Sequence, residues 1–125
     1  MKNRAVRIFL FLLVSLQAAS AIAATVTLVP GSATFNAGDL VQVNAVISGL
    51  GNHAPPSVGA FDVSVGYNPL LLAPDDVTFG LLLGDPFLFE ALTDVDFLTP
   101  GIANFAEVSL LSPSELDALQ PVSSK

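Results

Sequence analysis

Gly59-Ala60-Phe61-Asp62-Val63-Ser64-Val65-Gly66-Tyr67-Asn68-Pro69-Leu70-Leu71-Leu72 is the stretch from which the fold is read. Phe61, Val63, Val65 and Tyr67 alternate with Asp62, Ser64 and Gly66, and a period of two puts the large apolar groups on one face of a β-strand. The other face is small and polar, so the strand is half-buried. Asn68-Pro69 stops it, because proline has no N–H for a sheet ladder and fixes its own φ. A strand with one dry face needs a second apolar layer to cover it, which predicts a packed two-layer domain.

Neighbouring segments repeat the pattern. Residues 25–29 alternate and end at the turn dipeptide Pro30-Gly31, and Ala33-Thr34-Phe35 reads as a second short piece. Residues 40–47 place Val41, Val43, Ala45 and Ile47 opposite Gln42 and Asn44. Residues 48–57, rich in Gly and Pro, form a loop. Further strands are expected over residues 77–79, 93–98 and 102–111, while residues 80–92 are strongly apolar without a clean period. Ser112-Pro113-Ser114-Glu115 is a capping box, with Leu116 and Leu119 on one face of the helix it starts and Pro121 ending it. Six or seven short strands with turn signals about every ten residues and one short helix near the C-terminus predict an all-β, antiparallel β-sandwich. No internal repeat is present.

Composition narrows the function classes. The chain has 125 residues, no Cys, no Trp and one His, and only 12% of it is charged, against roughly a quarter in ordinary soluble domains. Lys2, Arg4 and Arg7 precede an apolar run at residues 8–14, and Ala21-Ile22-Ala23 follows as an A-x-A cleavage pattern. Residues 1–23 therefore read as a secretory signal peptide, with cleavage after Ala23 or, as the alternative, Ala24. The apolar run is far short of the ~20 residues a membrane helix needs. Residues 24–125 then form one domain with Lys125 alone against eleven carboxylates, a net charge of −10. Such a surface repels phosphate backbones and anionic membranes, which argues against nucleic-acid partners, and leaves basic proteins, neutral glycans and calcium open. Without Cys no disulfide supports the domain, so burial must do so.

Three elements, in order, resemble the cohesin family. They are Ala37-Gly38-Asp39-Leu40-Val41-Gln42-Val43, then Gly59 through Pro69 with a Leu after it, then Val77-Thr78-Phe79-Gly80. Within that family the sequence is similar to cohesin-like secreted bacterial proteins that carry a C-terminal PEP-CTERM sorting tail. There, segments like Phe79-Gly80-Leu81-Leu82-Leu83-Gly84-Asp85-Pro86 and Ala106-Glu107-Val108-Ser109-Leu110-Leu111-Ser112-Pro113-Ser114-Glu115-Leu116 recur.

The resemblance implies a jelly-roll β-sandwich of the fold shared with a group of carbohydrate-binding modules. It also implies a protein partner, dockerin-like, held on the outer face of a sheet outside the cell or at its surface, in the setting of polysaccharide breakdown. Carried over by position, the partner-binding face comprises Asp62, Ser64, Gly66 and Asn68, Asn68 standing where dockerin-binding cohesins usually have Asp. The family's domain continues past the helix with further apolar strands. A chain ending at Lys125 is therefore expected to lack its last strand or strands, leaving a sheet edge open to pairing or oligomerisation.

Other site candidates are weaker on their chemistry. Asp75-Asp76 and Asp94/Asp96 are neighbours in a turn and on one strand face, whereas a glycosidase needs two carboxyls across a cleft. Calcium at either pair has no EF-hand pattern behind it. His53, alone in a loop, reads as an exposed side chain without metal partners. Sugar binding through flat aromatics is disfavoured by the absence of Trp and by Tyr67, which points to the apolar face. The apolar residues of segment 80–92 are expected to pack over an open end of the sandwich, with an exposed docking patch as the alternative. The expectation is a secreted, non-catalytic binding module without cofactor or metal, with a carbohydrate-binding module as the alternative and a hydrolase third.

Overall fold

The computed structural model describes residues 24–124. The expected signal peptide, residues 1–23, lies outside them, as does Lys125. The described residues form two antiparallel sheets and one short helix. In the first sheet β1 (Thr25–Pro30) pairs with β2 (Val43–Ser48) from Thr25↔Ser48 to Pro30↔Val43. The second sheet contains β3 (Ala60–Gly66), β4 (Ala91–Asp96) and β5 (Ile102–Ser109), in the order β3-β5-β4. The helix α1 spans Pro113–Leu119, and β6 (Ser123–Ser124) adds to the free side of β2.

Burial along β3 alternates as its side chains do: Phe61, Val63 and Val65 are half-buried, and Asp62, Ser64 and Gly66 are exposed. The strand lies at the edge of its sheet rather than in its middle, which β5 occupies. Phe61 makes an edge contact with Phe105 of β5, ring centroids 6.2 Å apart, and stacks on Phe79 at 6.3 Å. Phe79 belongs to no strand. Segments 33–35 and 77–79, expected as strands, join no ladder. At the first, the Ser32 hydroxyl accepts from the Thr34 N–H and donates to the Thr34 carbonyl, closing a local turn. At the second, Phe79 meets the core through its ring, so apolar alternation there serves packing and not pairing.

β4 begins at Ala91 and ends at Asp96, two residues earlier at each end than the sequence suggests. The Asp96 carboxylate accepts the Leu98 N–H and turns the chain out of the ladder. Ahead of β4, Asp85 caps a single 3-10 turn, Pro86–Leu88, by accepting from the Phe87 N–H. Gly84 enters that turn at φ +115, and a Cβ there would stand 2.7 Å from the Glu90 Cβ, so no other residue fits without a shift.

The capping box forms in full. The Ser112 hydroxyl accepts the Glu115 N–H at 3.4 Å, and the Glu115 carboxylate accepts the Ser112 N–H at 2.8 Å. The Ser112 N–H first, and second the Ser112 hydroxyl, which also donates to the Glu115 carboxylate at 2.7 Å, hold the Glu115 carboxyl below its ordinary range. Ser112→Ala is expected to cost about 1 kcal/mol by thermal unfolding at pH 7. A carboxylate held below its unfolded value stabilises the fold above that value and loses the contribution as pH falls through the lowered one. The destabilisation of Glu115→Gln should accordingly shrink on acidification.

The helix lies against the start of β3: Leu116 is buried, and a Cβ on Gly59 would sit 3.6 Å from its Cδ1. Two backbone bonds continue the β5 pairings beyond the strand, Ser109 N–H to Gly59 and Leu110 N–H to Glu90. A sheet edge is expected to stand open; that of β2 is partly covered, since Ser123 and Ser124 pair with Ser48 and Ile47. Val43 through Val46 carry no neighbour on that side among the described residues.

Candidate functional site

Two features of the second sheet follow from its register. On the outer face Asp62, Ala106 and Asp94 form one cross-strand row, and Ser64, Asn104 and Asp96 form the next. The half-buried Asn104 amide donates to the Asp62 carboxylate at 2.7 Å, the Ser64 hydroxyl at 3.0 Å and the Val63 carbonyl at 3.3 Å. One side-chain nitrogen thus fixes two of the residues expected to contact a partner. Asp62 and Asp94 flank a strand between them, about 10 Å apart by sheet geometry. The face is a polar, acidic platform with its donor already spent.

Of the expected face, Asp62, Ser64 and Gly66 lie together on this surface. Asn68 lies beyond the end of β3. Its side-chain oxygen accepts the Leu70 N–H and its carbonyl accepts those of Leu71 and Leu72, which makes it the residue that turns the chain.

The second feature is a cavity of about 460 Å³ bordered by both sheets. Val26, Ala45 and Ile47 line it from the first sheet, and Phe61, Val63 and Phe105 from the second. Phe79 and Leu83 close it from the β3–β4 connection, while Asp75 and Asp76, both exposed, stand at its rim. Glu107 of β5 also lines it, placed by the register between Phe61 and Thr93 on the inner face. Only 2% of Glu107 is exposed, and its Oε1 has no hydrogen-bond partner among the described residues. Burial pushes its pKa up to about 7. A buried carboxyl without a partner favours its neutral form, since desolvation penalises the charge.

Glu107 was not singled out in the sequence, although a signal existed: it is in phase with Ala103 and Phe105, on the side of β5 that faces the core. Gln120 was also missed. It caps α1 from a fully buried position, taking the Val58 N–H on Oε1 at 2.8 Å and donating from Nε2 to the Val58 carbonyl at 2.7 Å and the Leu82 carbonyl at 3.0 Å. One side chain thereby joins the helix end to the segments before and after β3.

The remaining candidates separate. Asp75 sits at the cavity rim and Asp94 on the outer face of the second sheet, so the two are not opposed across a cleft. His53 is exposed as expected yet not idle: its Nδ1–H donates to the Ala118 carbonyl at 2.7 Å and its backbone N–H to Gln120, satisfying carbonyls at the end of α1. Among the described residues no three His, Asp or Glu side chains are grouped to hold a metal ion. Segment 80–92 divides: Leu83 is buried, but Phe87 is 92% and Phe89 82% exposed, so the expected cover over an open end is confined to its first half.

No protein-family model, no curated protein and no solved structure matches the chain. Among the described residues no helix is long and apolar enough to cross a membrane.

Proposed function

We propose that the chain is a non-catalytic, cohesin-like binding module of jelly-roll β-sandwich type, exported by a bacterium to hold a dockerin-like protein partner at or outside the cell surface. The observation that carries this reading is the Asn104 clamp on Asp62 and Ser64. A sheet face whose polar groups are already held loses little side-chain entropy on docking, and that lowers the cost of association. With Asp94 and Asp96 beside the clamp, the face suits a partner with basic residues opposite it.

The test is retention of dockerin-type modules on the immobilised protein. Asp62→Arg should weaken retention at least tenfold, and raised salt should weaken the parent complex, since exposed charge pairs are screened. Dockerin binding indifferent to Asp62→Arg would move the contact elsewhere, and no binding at all would end the reading.

One observation favours the carbohydrate-binding alternative. The exposed rings of Phe87 and Phe89 offer flat apolar surface of the kind on which sugar rings stack. Polysaccharide retention that disappears in Phe87→Ala and survives Asp62→Arg would select that reading.

A further inference from the structure

The cavity between the sheets has no part in outer-face docking, and its chemistry is different. Its volume, about 460 Å³, falls in the range of roughly 300–1,000 Å³ typical of small-molecule sites. Its walls are mainly aliphatic and aromatic, with Gln42, Asn44 and Thr78 and a single buried carboxyl, Glu107, among them. Among the described residues the side chains bordering it include no His, and the titratable groups facing it are Glu107 with Asp75 and Asp76 at the rim. A buried acceptor left without a donor costs free energy that a ligand donor recovers. An anion would meet three carboxyls. A metal ion would find one buried ligand and two exposed residues of the β3–β4 connection. A cation carrying a hydrocarbon body satisfies both the walls and the acceptor, and the acidic rim raises its local concentration.

We propose that this cavity is a binding site for a small amphiphilic amine, an alkyl or arylalkyl ammonium whose charge pairs with the Glu107 carboxylate and whose hydrocarbon part lies against Phe61, Phe79 and Ile47. The ammonium supplies the hydrogen bond that Oε1 lacks, and the body replaces void by contact. Binding requires Glu107 in its charged form, so below its raised pKa of about 7 the amine displaces a proton.

The test is calorimetric titration of the purified protein with n-hexylamine, hexan-1-ol and hexanoate at pH 6 and pH 8. Saturable one-to-one binding of hexylamine is expected, about tenfold tighter at pH 8 than at pH 6, the ratio set by the charged fraction of a group titrating near 7. Hexanol should bind more weakly and without pH dependence, and hexanoate more weakly still. Glu107→Gln keeps the side-chain shape and should lower hexylamine affinity at least tenfold at pH 8 while leaving hexanol binding in place. That retained hexanol binding shows the variant's cavity to be intact. Shifts of the Phe61 and Phe105 ring resonances on hexylamine addition locate the ligand.

Hexylamine binding that is absent, equal to that of hexanol, or unchanged in Glu107→Gln would overturn the proposal. Outer-face docking is read separately through Asp62→Arg, so the two can fail independently.

Discussion

Gln120→Leu should lower the stability of the domain by roughly 3 kcal/mol, as follows from three hydrogen bonds lost at part-buried groups at about 1 kcal/mol each. Leucine keeps most of the volume, so the loss isolates the polar role. The Val58 N–H and carbonyl and the Leu82 carbonyl would be left without the partners they have in the parent. For a domain of this size the melting temperature should fall by about 10–20 °C. Gln120→Ala adds a cavity to the same loss and should be worse. A Gln120→Leu protein that melts within a few degrees of the parent would mean that helix and sheet are held together by other contacts, Leu116 against Gly59 being the nearest candidate.

The second large effect has the opposite sign. Glu107→Gln should stabilise the protein at pH 8 and leave it nearly unchanged at pH 4. A carboxyl titrating near 7 when folded and near its ordinary value when unfolded binds its proton more tightly in the folded state. Stability tied to it is therefore fully present below the unfolded value, falls as pH rises from there to about 7, and is constant above. Glutamine cannot ionise, so it avoids that loss. At about 1.4 kcal/mol per pKa unit, a rise from 4.5 to about 7 makes the gain at pH 8 about 3 kcal/mol, read as a melting temperature higher by about 10–20 °C. Equal stabilities of the two proteins at pH 8 would show that Glu107 is hydrated in the folded state.

Much of the local structure was legible in the sequence, because each legible element rests on contacts within a few residues. The alternation in residues 60–66 gives β3 and its two faces, and Ser112-Pro113-Ser114-Glu115 gives the start of α1 down to its reciprocal bonds. Alternation reports which side chains are buried, however, and not which backbones pair. Phe79 is in phase with a core face and reaches it by stacking on Phe61, without a strand. The edge position of β3 was hidden for a similar reason: strand order depends on contacts across more than forty residues, such as Asp62↔Ala106, that no window shows.

The site was legible in part. Asp62, Ser64 and Gly66 share the face assigned to them, but Asn104, which holds two of them, is recognisable only once the register is known. Glu107 and Gln120 escaped because polar residues are ordinarily exposed, and a reading by residue type places them at the surface. Their phase gave them away: Glu107 falls two residues after Phe105, and Gln120 four after Leu116, where its N–H meets the Leu116 carbonyl. A polar residue in phase with apolar neighbours is where local pattern and residue type disagree, and here both such residues mark the interior.

The measurement that bears most directly on the account is a carbon-13 NMR titration of the glutamate side-chain carboxyls between pH 3 and pH 9, with Glu107 assigned through Glu107→Gln. If the two sheets face each other across the cavity with Glu107 enclosed between them, its resonance titrates near 7 while that of Glu115 titrates below the ordinary range. A Glu107 midpoint at the ordinary carboxyl value would contradict the enclosure, and with it the two-sheet core and the amine site built on it.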